Sequence, residues 1–519
     1  MTAIRKTLRL FSIAALIVAV AALTGCSKEE IGGDGLTFTT TVQMPAGGTK
    51  ALDEHGVKTF AVGECIKVTC DGGSMTCTSE ALTFADISAD GKAAKFTFNF
   101  ESAPTLSSGS TVTYEYPAAH SGLGGQDGTL ATLQSTYDYA SCSPIVSVAG
   151  QLPTNITLAN QYAILKLNLK NSDGSVDITS DVRQLTVTLG GQTVTVNRTP
   201  AAGPVYVAVP AASGTIVFYA AKDKSLYTKS VSQTLTAGHL YPVNLSMSIV
   251  EGALSGLFSV SASKKVYFSK GNLRAYFATA GTSHTWDFAD KQFNAIGNDA
   301  ANNAINGDGS VSTGGKWVDL FGWSTASTTY GINNSTTASD YSGDFRDWGT
   351  NAITNGGNMA SIWRTLGNDE WKYLFVTRAS GSTVNGTSDA RYTHAAIIVN
   401  EGTSGAKGII LFPDGVTIDG SEADSWGTIN GNSNWDTKCS IGQWEALEAK
   451  GCVFLPAAGY RTGTDASSTF GYFGKYWSST PTNDDYAYSI SFESNQLGVY
   501  NHTDYRHFGI SVRLVRDAN

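Results

Sequence analysis

The sequence predicts a mainly β protein in which two β-sandwich domains are followed by an α+β domain. Short runs that alternate apolar and polar residues, such as AAKFTFNF and AILKLNLK, recur from about residue 35 to 250 with no long helical pattern between them. All 10 tryptophans lie after residue 255, which divides the chain into two unlike halves. Charged residues make up only 15% of the chain and glycines number 56, a balance that favours strands and loops over long helices.

The chain begins with an export signal. Basic residues at positions 5, 6 and 9 precede the apolar stretch FSIAALIVAVAAL, which is shorter than the ~20 residues that a membrane-spanning helix needs. The motif LTGC follows and ends at Cys26, which resembles the lipobox of bacterial lipoproteins. The resemblance implies that a lipid is attached to the Cys26 thiol and that the chain is cleaved before it. The alternative is an ordinary secretory signal with an incidental cysteine.

Domain boundaries follow from the small-residue linkers. The segment VEGALSG, near residue 250, fits a short linker between the two halves, and a further break is expected between Ser147 and Pro153. The pair Gly190-Gly191 between two alternating runs predicts a hairpin. The predicted segments are a signal peptide over 1–25, a tether over 26–35, a first β domain over 36–148, a second over 149–250 and the α+β domain over 255–519.

Four phrases in the first half appear in a distinctive order. They are FAVGE from Phe60, YPA from Tyr116, AILKL from Ala163 and AGHLY from Ala237. Together they resemble the fimbrillin-like family of Bacteroidetes cell-surface and pilus proteins, which implies two fimbrillin-like β-sandwich domains. Families of this type build pili by inserting a strand of one subunit into a groove of the next. An unrelated two-domain immunoglobulin-like stalk is the alternative.

Two helices are predicted in the α+β domain. The first, GNDEWKYLF from Gly367, has acidic residues in its first turn and aligns its large apolar residues on one face. The second opens at Ser440, which has Gln443 three residues later as in a capping box, and it buries Trp444 and Leu447. Both patterns are typical of helices that pack against a core.

Framework phrases of the second half resemble the formylglycine-generating-enzyme-like branch of the C-type-lectin fold. They are DEW ending at Trp371, LPAAG from Leu455, YWSST from Tyr476 and GISVRLVR from Gly509, and the resemblance covers about residues 258–519. In the enzymes of this branch, a cysteine pair near the C-terminus binds the metal and performs the oxidation. No cysteine follows Cys452 here, so we expect a C-type-lectin-like binding scaffold and not an enzyme.

Polar turn residues interleaved with aromatic residues separate these framework phrases. Aromatic rings give contact area at low entropic cost and short polar side chains give adaptable hydrogen bonding, as in antibody-like binding surfaces. The pattern resembles the variable region of retroelement-diversified proteins, which implies ligand binding at this end of the fold. Ordinary exposed loops of a Tyr- and Asn-rich surface protein are the alternative. The predicted ligand-binding residues are Tyr472, Phe473, Lys475, Asn483, Asp484, Asp485, Tyr486, Tyr500, Asn501, His502, Thr503, Asp504, Tyr505, His507 and Phe508.

Other chemistry is sparse. A formal charge of −9 argues against a nucleic-acid partner. No cofactor and no metal are expected, although the loops 306–310 and 340–347 carry carboxylates that could hold calcium; solvated Asn/Asp loops are the commoner explanation. The sequence leaves open whether the cysteines after Cys26 form disulfides. These cysteines are Cys65, Cys70, Cys77, Cys142, Cys439 and Cys452.

These observations predict a lipid-anchored adhesin or pilus-tip-like protein at the outer membrane and cell surface. Its C-terminal loops would bind a protein or glycan on another cell, and pilus subunits are further candidate partners through strand insertion. The alternative is a glycan-binding lipoprotein of a polysaccharide-utilisation system, in which exposed tryptophans such as Trp426 or Trp435 stack on sugars.

Overall fold

The computed structural model describes residues 36–44, 59–120, 122–297, 299, 301–400, 405–466 and 469–518. Cys26, the signal peptide and the tether lie outside these residues. Strands account for 41% of the structure and helices for 11%, which confirms a mainly β protein. Among the described helices, none is long and apolar enough to cross a membrane.

The chain divides into two compact units. The described residues of the first unit lie within Met1–Lys170, Thr186–Val217 and Ser230–Leu245. Those of the second unit lie within Asn171–Leu185, Phe218–Lys229 and Ser246–Asn519. The division therefore falls inside the segment 149–250, and the three-domain boundaries stay a prediction.

Short strands are the main regular elements of the described chain before residue 250. They are β1 (Leu36–Gln43), β2 (Lys67–Cys70), β3 (Met75–Thr78), β4 (Ala93–Phe100), β5 (Thr113–Tyr116), β6 (Ala140–Cys142), β7 (Ile156–Thr157), β8 (Ala159–Asn160), β9 (Tyr162–Lys170), β10 (Gln184–Leu189), β11 (Gln192–Asn197), β12 (Val205–Pro210), β13 (Ser213–Lys222), β14 (Ser225–Thr234), β15 (Leu240–Ser246) and β16 (Ser248–Ile249). A single α-helical turn, α1 (Leu130–Thr132), continues as a π-helical turn over Leu133–Tyr137.

Two sheets of the first unit enclose one core. One sheet has the strand order β4-β1-β7 and the other the order β3-β2-β5-β6-β8. Strand β4 buries every second side chain towards its C-terminal end, including Phe96 and Phe98, and these rings join Val68 and Tyr114 of the other sheet in one hydrophobic cluster. The predicted alternation is confirmed here, because one face of each strand packs against the opposite sheet.

The predicted glycine hairpin is also confirmed. Strands β10 and β11 are neighbours in a sheet, and the two residues between them are Gly190, with φ 59°, and Gly191, with φ 77°. Both angles lie in the left-handed region, which side chains with a Cβ rarely adopt and which a two-residue hairpin turn of this hand requires.

The second unit continues with shorter strands and longer loops. Its strands are β17 (Ala253–Ser259), β18 (Lys265–Ser269), β19 (Leu273–Phe277), β20 (Thr285–Phe288), β21 (Lys316–Val318), β22 (Arg364–Thr365), β23 (Thr383–Val384), β24 (Thr387–Ser388), β25 (Tyr392–Ile398), β26 (Ala406–Leu411), β27 (Thr417–Ile418), β28 (Thr437–Ser440), β29 (Val453–Pro456), β30 (Arg461–Thr462), β31 (Asp465–Ala466), β32 (Gly474–Pro481), β33 (Tyr486–Glu493), β34 (Gln496–Gly498), β35 (Thr503–Tyr505) and β36 (Leu514–Asp517).

Both predicted helices form. Helix α2 (Asn368–Lys372) continues as a π-helical turn over Tyr373–Thr377, and helix α3 (Ile441–Ala449) begins after the N-cap Ser440. The Gln443 backbone N–H donates to the Ser440 hydroxyl at 3.3 Å, and the Gln443 side-chain oxygen accepts from the Ser440 backbone N–H at 2.8 Å. The capping box read from the sequence is therefore present.

Short 3₁₀ turns fill the remaining connections. They are Asp71–Gly73, Phe84–Asp86, Thr179–Asp181, Ala326–Thr328, Ala338–Tyr341, Trp348–Thr350, Thr354–Gly356 and Gly420–Glu422.

Buried tryptophans explain the composition of the second half. Trp323 and Trp477 are almost fully buried, and each indole N–H donates to a backbone carbonyl near the other: Trp323 to Ser478 at 3.0 Å and Trp477 to Phe321 at 2.7 Å. The pair fastens β32 to the segment 321–323. A buried indole needs such an acceptor, so these residues supply both apolar area and directional bonds.

Cysteines of the second unit are inert. Cys439 and Cys452 are buried free thiols, and burial raises the pKa of the Cys439 thiol to about 12. A thiol that stays protonated is a poor nucleophile and a poor metal ligand. These two residues therefore contribute packing and not chemistry.

A buried ion pair ties three segments of this unit together. Arg378 is fully buried, and its guanidinium donates to the Asp414 carboxylate at 2.9 Å. The second oxygen of Asp414 accepts from the Ser259 backbone N–H at 2.9 Å and from its hydroxyl at 2.5 Å. Removal of the carboxylate would leave a buried cation without its counter-charge, which costs far more than the pair contributes.

We expect Asp414→Ala to lower the free energy of unfolding of the second unit by about 3–5 kcal/mol, because it leaves the buried Arg378 guanidinium without its counter-charge. Ser440→Ala removes only the cap of α3 and should cost about 1 kcal/mol. Urea denaturation followed by tryptophan fluorescence measures both, since every tryptophan lies in this unit. Equal effects of the two substitutions would contradict the assigned role of the ion pair.

A buried histidine predicts acid sensitivity. His394 is fully buried between Tyr392 and Trp435, and burial lowers its pKa below the ordinary value of 6.5. The unfolded chain then binds the proton more tightly, so stability is complete above about pH 6.5 and is lost as the pH falls towards the folded-state pKa. Urea midpoints between pH 7.5 and 5 should fall less for His394→Phe than for the natural chain. Parallel pH profiles would exclude His394 as the cause.

Candidate functional site

The C-terminal strands bring many of the predicted ligand-binding residues together. Strand β33 pairs with β32 on one side, and with β34 and β35 on the other. The register places Tyr486 opposite Tyr505 and Ala487 opposite Asp504. Two segments separated in sequence therefore present their side chains side by side.

Five rings form an aromatic patch at this end of the sheet: Tyr460, Tyr486, Tyr505, His507 and Phe508. The ring centroids of Tyr486 and Tyr505 are 4.3 Å apart, and Tyr505 lies 5.1 Å from His507 and 5.5 Å from Phe508. Tyr460 stacks on Phe508 at 5.5 Å. Tyr505 is 40% exposed and the other four are half-buried, so the rings support one another while keeping part of each surface in water.

An ion pair lies beneath the aromatic patch. The Lys475 ammonium contacts the Asp504 carboxylate, and the side chains are only 11% and 5% exposed. The second oxygen of Asp504 accepts from the Ser489 hydroxyl at 2.7 Å and lies 3.4 Å from the His502 ring. Burial alone would raise the pKa of Asp504, but His502 and Lys475 outweigh it and lower the pKa to about 2. The carboxylate therefore stays charged across the physiological range.

The ammonium also connects the ion pair to the rings above it. Lys475 Nζ lies 5.2 Å from the centroid of Tyr460 and 5.9 Å from that of Phe508. Cation–π attraction of this kind is worth about 0.5–2 kcal/mol, more when the cation is removed from water. Lys475 and Asp504 are thus placed to position the patch and not to contact a ligand themselves.

Arg506 and Asn483 fix two loops next to the aromatic patch. Arg506 is 3% exposed, and its guanidinium donates to the carbonyls of Tyr341 at 3.2 Å and Gly343 at 3.1 Å. The Asn483 side-chain oxygen accepts from the N–H groups of Asp485 at 3.0 Å and Tyr486 at 2.9 Å. Asn483 therefore builds the turn that presents the two exposed aspartates before β33.

The remaining predicted residues lie in two other groups. Tyr500 is 67% exposed and precedes Asn501, whose side chain accepts from Lys372 at 3.1 Å. Tyr472 is 62% exposed, with the Lys407 ammonium 5.1 Å from its ring centroid. Half-buried Thr503 begins β35, next to His502, which lies beside Asp504, and half-buried Phe473 follows Tyr472.

Sequence reasoning missed Tyr460, Ser489 and Arg506. Tyr460 directly follows the framework phrase LPAAG and is not among the predicted binding residues, and Ser489 lies in an ordinary alternating strand. Arg506 lies between the predicted residues Tyr505 and His507 but was not itself predicted. It is buried, and its guanidinium donates to carbonyls of a loop more than 160 positions earlier in the chain. Only the unusual density of aromatic residues around it could have drawn attention to that position.

The loops considered for calcium are closed by their own hydrogen bonds. Asp308 accepts from the Ser310 N–H at 2.9 Å. Asp347 accepts from Gly349 N–H at 2.9 Å and, through its other oxygen, from Thr365 N–H at 3.0 Å. Within the described ranges, no group of three His, Cys, Asp or Glu side chains is placed to hold a metal ion.

Of the two tryptophans considered for sugar stacking, Trp435 is not an open platform. Trp435 is 6% exposed and packs against His394 and Phe492. Trp426 is half-buried, and its indole N–H donates to the Gly420 carbonyl at 3.0 Å. Stacking on a sugar needs an exposed ring face, which Trp435 does not offer.

Comparison with known proteins assigns no activity to this site. The segment 430–515, which includes the whole aromatic patch, matches the model of a family described as a domain of unknown function, DUF8237. No curated protein matches the chain.

Several solved structures are similar to the chain at low identity. A candidate cell adhesion protein from Bacteroides uniformis ATCC 8492 is 14% identical with a TM-score of 0.22, over 41% of this chain and 97% of that one. A fimbrial protein from Bacteroides ovatus ATCC 8483 is 10% identical with a TM-score of 0.21, over 93% and 99%. A minor pilin from Streptococcus agalactiae is 10% identical with a TM-score of 0.17, over 41% and 96%. TM-scores of this size establish neither a shared function nor a shared assembly.

The ion pair beneath the patch can be tested by a double-mutant cycle. Asp504→Asn leaves the Lys475 ammonium largely buried without its counter-charge and should lower the free energy of unfolding by about 3 kcal/mol. Lys475→Met alone should also destabilise, whereas the double variant should lose less than the sum of the two. Urea denaturation followed by tryptophan fluorescence provides all four values, and strictly additive losses would show that the two groups do not interact.

Proposed function

We propose that the chain is a non-catalytic surface adhesin whose aromatic patch binds a ligand on another cell. The observation that supports this most strongly is the exposed part of the patch, which stands on a paired sheet and on a buried ion pair. Tyrosine is among the residues that dominate binding energy at protein interfaces, and phenylalanine is enriched there relative to the rest of the surface. Their low side-chain entropy further reduces the cost of association.

The framework beneath the patch favours a preformed binding surface. Backbone hydrogen bonds join Arg506 N–H to the Asp485 carbonyl and Phe508 N–H to the Tyr505 carbonyl, both at 2.9 Å. Together with the ion pair, these bonds fix the loops without a partner. A loop that is already ordered pays little conformational entropy on binding, so modest contact area can give useful affinity.

The same proposal includes four further features. They are lipid attachment at Cys26, the outer-membrane location, the C-type-lectin-like fold of the second unit and retroelement diversification. A location at the cell surface would allow the exposed recognition surface to contact another cell. Pilus-subunit partners through strand insertion remain a prediction. A glycan ligand stacked on Trp435 is disfavoured by the burial of that ring.

The proposal predicts that Tyr505→Ala/Phe508→Ala within the patch, combined with Tyr500→Ala in the separate exposed group, weakens binding at least ~100-fold, since interface aromatics commonly contribute 2 kcal/mol or more each. The mature chain would be coupled to fluorescent beads and tested on a panel of epithelial and bacterial cells. The melting temperature should change little, because two of the three rings are at least 40% exposed and none lies in the core.

A matched control replaces three exposed apolar residues of the same unit that lie outside the patch, Val176, Met359 and Val399, by alanine. Beads carrying this variant should bind like the natural chain. Equal binding by the natural chain and the aromatic triple variant, including no binding by either, would reject the proposed function.

A further inference from the structure

The exposed charges beside the aromatic patch are negative. Asp484 and Asp485 are both exposed and directly precede Tyr486. Within the described residues, no side chain donates a hydrogen bond to either carboxylate. Both aspartates interact electrostatically with the buried Arg506, and Asp485 also with His507. Asp344, on the loop whose Gly343 carbonyl binds Arg506, adds a third exposed carboxylate nearby.

The basic side chains of this region are engaged elsewhere. The Lys475 ammonium is neutralised by Asp504, and only 11% of that side chain is exposed. Arg506 is 3% exposed, and its guanidinium is directed at backbone carbonyls and at the Trp323 ring, 4.2 Å away. Arg346, on the adjoining loop, stacks on the Tyr330 ring at 4.2 Å. A ligand that approaches the patch therefore meets carboxylates and ring faces, and no exposed, unengaged cation.

Ring faces and carboxylates attract the same kind of group. The face of an aromatic ring carries partial negative charge and attracts cations within about 6 Å, arginine most often. A guanidinium can stack on a ring while its N–H groups form a bidentate pair with a carboxylate. The planes of Tyr486 and Tyr505 are inclined by 33°, and those of Tyr505 and Phe508 by 61°, so the rings turn faces in different directions around the patch.

From this geometry we infer that the aromatic patch binds a cationic side chain of a protein partner, an arginine or lysine, with Asp484 and Asp485 as its counter-charges. The inference rests on the proposed function and names the chemistry of its ligand. It excludes phosphate, sulfate and carboxylate groups as the main recognition element, because each would be repelled by the exposed aspartates and would find no unengaged base.

The test is a peptide selection on the mature chain. A random twelve-residue library displayed on phage is selected on the natural chain and depleted on Tyr505→Ala/Phe508→Ala, which keeps only binders that need the patch. The recovered peptides should contain arginine or lysine at several times the frequency of the input library. Synthetic copies with citrulline in place of arginine should bind at least ~10-fold more weakly, since citrulline keeps the shape and removes the charge.

Two charge variants complete the experiment. Asp484→Asn/Asp485→Asn should weaken the arginine peptides at least ~10-fold. The control Glu251→Gln/Glu445→Gln also removes two negative charges, but from exposed positions outside the patch. It should change binding less than ~2-fold, which separates the local effect of the aspartates from the effect of net charge.

The inference is overturned if patch-dependent peptides show no cationic enrichment, if the citrulline copies bind equally, or if no peptide depends on the patch. Failure here and failure of the proposed function are distinct outcomes. Cell binding that is lost in the aromatic triple variant but unchanged in Asp484→Asn/Asp485→Asn would keep the adhesin and discard the cationic ligand.

Discussion

The ion pair between Lys475 and Asp504 holds the recognition surface in place. Both charges are largely removed from water, so the pair persists only because geometry and a third partner, the Ser489 hydroxyl, compensate for lost hydration. Asp504 belongs to β35 and Lys475 to β32, the strands on either side of β33. The pair therefore spans the sheet that carries the aromatic rings, and the Tyr460 and Phe508 rings lie over its ammonium.

Buried arginines stabilise the loops of the second unit in a similar way, by placing a cation where it satisfies buried acceptors. Arg461 and Arg506 are at most 3% exposed, and each donates to a loop carbonyl: Arg461 to Gly463 at 2.6 Å and Arg506 to Gly343 at 3.1 Å. Irregular backbone leaves carbonyls without ladder partners, and a guanidinium with five donors can satisfy several of them at once. Long loops can thus stay ordered around a small sheet.

Local sequence patterns predicted the local structure well. The capping box at Ser440 and the hairpin at Gly190-Gly191 form as expected, because each depends on residues only a few positions apart. Contacts between distant residues were not predictable: Lys475 and Asp504 meet through strand register, and Arg506 reaches the loop at Tyr341. The burial of Trp435 also depends on tertiary packing against His394 and Phe492, which no pattern around that residue indicates. Four of the five rings of the aromatic patch were named from the sequence as ligand-binding residues, and Tyr460 was not. Lys475 and Asp504 were also named as ligand-binding residues, but their pairing beneath the rings was not predicted.

The central claim is that the aromatic patch exists before any ligand binds, and hydrogen–deuterium exchange of the unliganded mature chain tests it most directly. The amides of Ser489, Arg506 and Phe508 donate to backbone carbonyls at 3.1, 2.9 and 2.9 Å. In a preformed patch these amides exchange at least ~100-fold more slowly than in an unstructured peptide of the same sequence. Exchange at the unstructured rate in the segments 484–489 and 503–508 would show that the surface forms only on binding, and would contradict the role assigned to the Lys475–Asp504 pair.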